Sequence, residues 1–211
     1  GSWLHRSLGG WVESITAGPK ETNMHKCGTT APPTSLSHLS AAGKVQDVYD
    51  SLWTNNQDVA EQTLMVPFLQ HMQFGDLQAD NYVNFMIQDI NYVLKNLLLS
   101  QSLPDIKPIP AMEKYLADYK AIMEKEKPIF FAVSLLPCSR LWLWIANQLK
   151  ENYCNAYFIW KKNNMHGNPE KHYKDLLNKY LKKPDQITWA NEIFRQQMQN
   201  EQTFFSASLE E

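Results

Sequence analysis

Residues 82–100 read YVNFMIQDINYVLKNLLLS and carry the longest helical pattern in the chain. Apolar side chains recur there every three or four residues, the spacing that places them on one face of an α-helix. Polar side chains interrupt this face, among them Asp89 and Asn96. A polar group inside a buried apolar face must be hydrogen-bonded, paired or neutral. The stretch therefore predicts a buried helix that carries part of a polar site.

The same spacing continues on both sides of this stretch, and no segment combines period-two alternation with hairpin turns. Pro128 suits the first turn of a helix, and Pro137 should kink that helix. The turn pair Gly75-Asp76 ends an earlier helix. The other predicted segments are helical runs over 44–53, 64–72 and 112–123, a helix over 128–149, an apolar run over 153–160, a loop over 163–169, and closing helices over 173–181 and 187–209. The pattern predicts an all-α domain of seven or eight helices.

Two parts of the chain lack this pattern. Residues 1–43 hold much of the Gly, Ser, Thr and Pro, so we expect a loose arm that precedes a helical domain over 44–211. Gly1 and Ser2 resemble an expression-vector remnant. Three prolines between Pro104 and Pro110 predict a connection of about ten residues.

Composition excludes several classes of protein. Twenty Lys and Arg residues against 22 Asp and Glu give a net charge of −2, too balanced for a nucleic-acid-binding face. No stretch is expected to approach the roughly 20 apolar residues that span a bilayer, so we expect no membrane partner. The three cysteines, Cys27, Cys138 and Cys154, fit neither a disulfide framework nor a zinc clip. With no secretory signal visible, a reducing, cytoplasmic location is the expectation.

Cys138 is the first candidate for chemistry. It follows Pro137, whose kink frees backbone groups, and Arg140 would favour a thiolate if its side chain points inward. The alternative is that Cys138 is an ordinary small core residue.

Two carboxylates are candidates for the same reason. Asp89 and Tyr92 project from one face of a helix that should be buried. Phe204 follows Glu201 by one helical turn, and a carboxylate beside an aromatic ring can bind a flat nitrogen heterocycle. In both cases a structural hydrogen bond between helices is the alternative to a ligand contact.

Metal and phosphate sites are not expected. The chain has no Glu-x-x-His motif, no Gly-rich phosphate loop and no Gly-x-Ser-x-Gly elbow. The six histidines, His5, His25, His38, His71, His166 and His172, have no metal-ligand spacing with the cysteines. We therefore expect no cofactor and no haem or di-metal centre, with His166 and His172 in solvent.

The chain resembles the TenA family, the thiaminase II proteins of the haem-oxygenase-like fold, from about Trp53 to the C-terminus. The motifs that carry the resemblance are, in chain order, Pro67-Phe68 with Gly75-Asp76-Leu77, Phe85-x-x-Gln88-Asp89-x-x-Tyr92, Leu135-Leu136-Pro137-Cys138, His172-Tyr173 to Tyr180, and Glu201-x-x-Phe204-Phe205. The resemblance implies an all-α, TenA-like helical bundle that cleaves the bond between an aminopyrimidine methylene carbon and its leaving group in thiamine or its breakdown products.

The resemblance also implies roles for single residues. Cys138 matches the nucleophile, Glu201 the acid/base carboxylate, and Asp89 the carboxylate that binds the aminopyrimidine. The aromatic residues that would line the pocket are Tyr92, Tyr115, Tyr173 and Phe204.

Trp142 departs from the family pattern, which has Tyr there. Water would be the acceptor in thiaminase II chemistry, and an organic base or thiol in the thiaminase I type known from animal members. A non-catalytic pyrimidine-binding protein is the alternative function. The resemblance further implies a homo-oligomer, a tetramer or dimer, with a small-molecule substrate.

Overall fold

The computed structural model describes residues 47–97 and 107–209, which form nine α-helices and no strand. The all-α prediction is confirmed. The predicted arm, Ser100 and most of the connection before Pro110 lie outside the described residues. In chain order the helices are α1 (Val48–Thr54), α2 (Gln57–Leu64), α3 (Pro67–Phe74), α4 (Ala79–Leu97), α5 (Pro110–Lys125), α6 (Pro128–Gln148), α7 (Phe158–Asn164), α8 (Pro169–Tyr180) and α9 (Pro184–Ala207).

Proline begins five of these helices, α3, α5, α6, α8 and α9. Proline suits the first turn because the N–H groups of that turn make no hydrogen bond within the helix, so the N–H that proline lacks is not missed. The fixed φ of proline is also already helical. Gly75 ends α3 with φ of 80°, a left-handed conformation that glycine adopts without strain. The helix end predicted at Gly75 and the helix start predicted at Pro128 are therefore both observed.

Helices α6 and α9 form the centre of the bundle. The 24-residue α9 packs against α6, α2, α5, α1 and α3, and α6 also contacts α5, α7 and α8. Their facing side chains include the fully buried Leu136, Ile145, Phe194 and Met198. A site built on both helices is therefore enclosed by the rest of the domain.

Asn55 and Asn56 separate α1 from α2, a helix that lies between the predicted runs over 44–53 and 64–72. The buried Asn56 side chain donates from Nδ2 to the Leu52 carbonyl at 2.8 Å and to Asn191 Oδ1 at 2.9 Å. Asparagine side chains that compete for backbone groups in this way favour helix ends over helix interiors. Helix α2 was not predicted, and the described residues consequently form nine helices where seven or eight were expected.

The segment 153–169 also differs from the prediction. Helix α7 includes Asn163 and Asn164, which were expected in a loop, and α8 begins at Pro169 rather than at Tyr173. The Asn168 side chain caps α8 by accepting from the Lys171 N–H at 3.2 Å. Since asparagine is a strong N-cap residue, this boundary is readable from Asn168-Pro169.

The expectation that no stretch approaches membrane-spanning length is wrong for α6. This helix has 21 residues and is apolar enough to cross a bilayer by length and composition. Half of its apolar window is buried within the domain, and α6 contacts five other described helices. In the described part of the chain α6 is therefore the core helix of the bundle.

Two of the side-chain expectations have clear outcomes. Cys154 is disulfide-bonded, so the expectation that the cysteines form no disulfide is wrong for this residue, whereas Cys138 is a free thiol. His166 and His172 are both exposed, as predicted.

Candidate active site

Cys138, Glu201 and Asp89 face one another although they come from α6, α9 and α4. The Cys138 thiol is within hydrogen-bonding reach of Glu201 and close enough to Asp89 for their charges to interact. Asp89 and Glu201 also interact electrostatically. Both carboxylates are buried, with exposed fractions of 6% for Asp89 and 1% for Glu201. The bundle thus brings one sulfur and two acidic groups together in its interior.

Glu201 is held at both of its carboxylate oxygens. The Tyr115 hydroxyl donates to Oε1, and the Trp142 indole Nε1–H donates to Oε2 at 2.9 Å. Burial raises the pKa of Glu201, and the hydrogen bonds from Tyr115, Trp142 and Cys138 partly offset that rise. Because Trp142 can only donate, it orients the carboxylate without being able to take up its proton.

The surroundings of Cys138 favour the protonated thiol. Burial raises the pKa of this thiol well above its ordinary value, and the negative charges of Glu201 and Asp89 raise it further. The residue nevertheless keeps an intermediate exposure. Formation of the thiolate therefore requires a nearby base, and the adjacent carboxylate of Glu201 is placed to supply one.

Arg140 does not act on this thiol. Its guanidinium lies 3.9 Å from the centre of the Tyr49 ring and donates to the Tyr49 carbonyl at 2.5 Å, with Asp50 at 3.8 Å. Two residues along an α-helix correspond to about 200° of rotation, so Arg140 projects from the side of α6 opposite Cys138. The expectation that Arg140 favours a thiolate at Cys138 is wrong.

Asp89 is a buried carboxylate that no hydrogen-bond donor among the described residues contacts. Burial raises its pKa well above the ordinary value, and the charge of Glu201 adds to this effect. The neighbouring Gln88, by contrast, accepts from the Ile109 N–H and donates to the Lys107 carbonyl, both at 3.1 Å. Gln88 thereby fixes the start of α5 to α4, while Asp89 retains its capacity to bind a ligand.

Three tyrosines form a packed group beside the thiol. Tyr92, Tyr115 and Tyr119 have ring centres 5.1 to 5.6 Å apart. The Tyr92 hydroxyl contacts the Tyr119 hydroxyl at 2.9 Å, and Tyr119 donates to the Ser134 carbonyl at 2.9 Å. Tyr92 also lies within hydrogen-bonding reach of Cys138.

Aromatic side chains enclose the rest of the site. Phe85 stacks on Trp142 at 5.8 Å and on Phe204 at 5.0 Å. Phe204 is fully buried within this cluster rather than exposed to solvent. Burial raises the pKa of Tyr173 to about 12, and the charge of Cys138 contributes, which places this half-buried α8 residue near the thiol. Among the aromatic residues named from the sequence, Tyr115 and Trp142 contact Glu201, Tyr92 and Tyr173 lie near Cys138, and Phe204 packs on Phe85.

Sequence reasoning missed Tyr119, Phe85 and Tyr82 as site residues. Tyr119 follows Tyr115 by one helical turn, and Tyr82 precedes Asp89 by two turns on the same face of α4, so periodicity contained a signal. Tyr82 interacts electrostatically with Asp89, and burial raises the pKa of Tyr82 to about 12. Tyr82 and Tyr119 had been counted only as part of apolar helical runs, and Phe85 also as part of the motif that carries the family resemblance.

In residues 47–97 and 107–209, no group of three or more His, Cys, Asp or Glu side chains is placed so that it could hold a metal ion. The arrangement that is present can move a proton between a thiol and a carboxylate. It can also hold a flat polar ring between a second carboxylate and aromatic walls. These are the requirements for nucleophilic attack on an electron-poor heteroaromatic ring.

Comparison with known proteins supports the architecture. No protein-family model matches the chain, and no curated protein matches its sequence. The structure is similar to that of a TenA homologue protein from P. horikoshii OT3, with a TM-score of 0.66 and 15% sequence identity. The match covers 77% of this chain and 98% of the homologue. The chain therefore has the all-α, haem-oxygenase-like fold found in TenA proteins.

Proposed function

We propose that this protein is a TenA-like enzyme that cleaves the C–N bond between an aminopyrimidine methylene carbon and its leaving group. Thiamine and its breakdown products are the proposed substrates. The observation that carries the proposal is the meeting of the Cys138 thiol with Glu201, which is itself held by Tyr115 and Trp142. Asp89 supplies a buried carboxylate for the polar edge of the ring.

The proposed reaction begins with proton transfer from the Cys138 thiol to Glu201. The thiolate adds to an electron-poor ring carbon, forming an S–C bond, and the ring nitrogen that receives the electron pair takes the proton from Glu201. The ring electrons then expel the leaving group, which departs with the electrons of the methylene C–N bond. An acceptor nucleophile adds to the methylene carbon and gives its proton to solvent, or to the leaving group where that is an amine. Breakage of the S–C bond then releases the thiolate and passes the ring proton to Glu201, which transfers it to the sulfur, so that the thiol and the carboxylate are both restored.

The acceptor is water in one form of the proposal and an organic base or thiol in the other. Trp142 bears on this choice because an indole cannot accept a proton from an incoming water molecule. Glu201 is the group that we propose for this role, with both of its oxygens already engaged by donors. Product identity in the presence and absence of an added amine separates the two forms.

The second candidate is a pyrimidine-binding protein without turnover. The raised pKa of the Cys138 thiol favours this reading, because little thiolate is present before a ligand binds. A small-molecule ligand is common to both candidates. A homo-oligomer in the cytoplasm remains a proposal from the family resemblance, although the disulfide at Cys154 is more typical of an oxidising compartment.

The deciding experiment follows thiamine consumption by mass spectrometry with wild type, Cys138→Ser and Ser139→Ala. Ser139 is a suitable control because its hydroxyl donates to Leu136 O within α6 at 3.1 Å and is directed at neighbouring backbone. Turnover should be lost in Cys138→Ser and kept in Ser139→Ala. Glu201→Gln should reduce turnover by about 100- to 10,000-fold, the usual contribution of a general acid or base. Undiminished turnover in Cys138→Ser would contradict the mechanism, and ligand-induced thermal stabilisation without product would support the binding protein.

A further inference from the structure

The direction of the hydrogen bonds among the site tyrosines follows from counting protons. A tyrosine hydroxyl has one proton to donate, and a backbone carbonyl can only accept. Tyr119 lies 2.9 Å from the Ser134 carbonyl, so the Tyr119 proton is committed to that oxygen. The Tyr115 proton is likewise committed, because Tyr115 donates to Glu201.

The contact between Tyr92 and Tyr119 therefore has only one possible donor. The two hydroxyl oxygens are 2.9 Å apart, and Tyr119 has no proton left for this bond. Tyr92 must donate to Tyr119, which uses the only proton on Tyr92. Toward Cys138 the Tyr92 oxygen can offer only its lone pairs.

We propose that Tyr119 is a positioning residue that fixes the Tyr92 hydroxyl as a hydrogen-bond acceptor toward Cys138 and toward a ligand beside it. Tyr119 reaches the ligand only through Tyr92, because its own hydroxyl is bound to the backbone of α6. Ser134 is one helical turn before Cys138, so the same contact ties this orientation to the helix that carries the thiol.

Two consequences follow from this assignment. Because the Tyr92 proton lies in its bond to Tyr119, the Cys138 thiolate receives no hydrogen bond from the neighbouring Tyr92 in the wild type. A ligand is favoured when it presents an N–H donor to Tyr92 and disfavoured when it presents a carbonyl. The second consequence rests on the proposed function and extends it to a preference for amino over oxo substituents on the ring.

The first test measures the titration of Cys138 by NMR of isotope-labelled cysteine Cβ, assigned with Cys138→Ser, and requires neither ligand nor turnover. Tyr119→Phe frees the Tyr92 proton to bond the thiolate, so the titration midpoint should fall by about one pH unit, since a hydrogen bond to a charged group contributes about 1.5–3 kcal/mol. The titratable groups that face the thiol from the surrounding helices are Asp89, Tyr92, Tyr115, Tyr119, Tyr173 and Glu201.

Two further variants separate hydrogen bonding from packing. Phe131→Leu alters a side chain that packs edge-on against Tyr119, with ring centres 6.4 Å apart, and should leave the thiol titration unchanged. The double variant Tyr92→Phe with Tyr119→Phe should titrate like Tyr92→Phe alone, because there is then no Tyr92 proton to release. An unchanged midpoint in Tyr119→Phe, or an equal fall in Phe131→Leu, would overturn the assignment.

The second test measures binding of an aminopyrimidine and its oxo analogue by calorimetry. Wild type should prefer the amino compound, and Tyr119→Phe should reduce that preference by about tenfold, since Tyr92 can then donate to a carbonyl. If the thiol midpoint falls but neither compound binds wild type, the assignment of Tyr119 stands and the proposed function fails. If thiamine is cleaved but the midpoint does not move, the proposed function stands and the assignment fails.

Discussion

Replacing Asp89 by asparagine should increase the stability of the protein near neutral pH. The carboxylate is only 6% exposed and has no hydrogen-bond donor among the described residues. A buried polar group without a partner destabilises a fold by about 1–3 kcal/mol, and more when it is charged. Asparagine keeps the shape of the side chain and removes the charge. We therefore expect Asp89→Asn to raise the free energy of unfolding by about 1–3 kcal/mol.

The pH dependence of this gain has a definite sign. Burial raises the pKa of Asp89 in the folded protein well above its value in the unfolded chain. Between those two pKa values the folded state binds more protons, so wild-type stability falls as pH rises through this window. Asparagine does not titrate. The gain should therefore be absent below the unfolded pKa of about 3.9 and grow as pH increases above it.

Thermal unfolding across pH measures the effect, with about 2–4 °C expected for each kcal/mol in a chain of this size. Asp118→Asn is the matched control, because Asp118 accepts from Lys114 at 2.6 Å and from Asn200 at 2.9 Å. Removing that charge should lower stability. If Asp89→Asn destabilises the protein as Asp118→Asn does, or stabilises it equally at all pH values, the carboxylate has a partner and the reasoning is refuted.

Three other substitutions test separate parts of the structure. Trp142→Phe removes a donor from Glu201 and should raise the pKa of that carboxyl further, which moves the acidic limb of the kcat/KM profile to higher pH. Arg140→Met should lower the free energy of unfolding by about 1–3 kcal/mol, because the guanidinium contacts with Tyr49 are lost. The titration of the Cys138 thiol should not change, and a shifted midpoint would show that the guanidinium acts on the thiol after all. Gly75→Ala should lower the free energy of unfolding, measured by urea denaturation, by about 1–2 kcal/mol, because an alanine is strained at a φ of 80°. Gly167→Ala is the control and should show no such loss, because there is open space around the added methyl group.

Local spacing accounts for what could be predicted. The helical face around Asp89, the proline at the start of α6 and the turn at Gly75 each depend on residues within a few positions of one another. These features follow from helical periodicity and backbone conformation, which neighbouring residues decide. Helix α2 was not foreseen; its start is held in part by a long-range partner, because the Asn56 side chain donates to Asn191.

The roles and contacts of the site residues were less predictable than the position of the site in the chain. Local sequence singled out Cys138, Glu201 and Asp89 but left a structural role open for each, and the resemblance supplied their specific roles. The condition that Arg140 points toward the thiol is not met, because two positions along a helix reverse the direction of a side chain. Tyr119 was counted as an apolar residue, since sequence gives no sign that its hydroxyl binds a carbonyl on another helix.

Residue spacing alone specifies a set of amphipathic helices with acidic groups embedded in apolar faces, because such patterns are encoded within single turns. Which of these groups meet depends on how the helices pack. Tyr115 and Glu201 are 86 residues apart, and Trp142 and Glu201 are 59 apart. Their hydrogen bonds exist because α5 and α6 both pack against α9 in one register. That register also determines where each hydroxyl proton points, and hence what the site can accept.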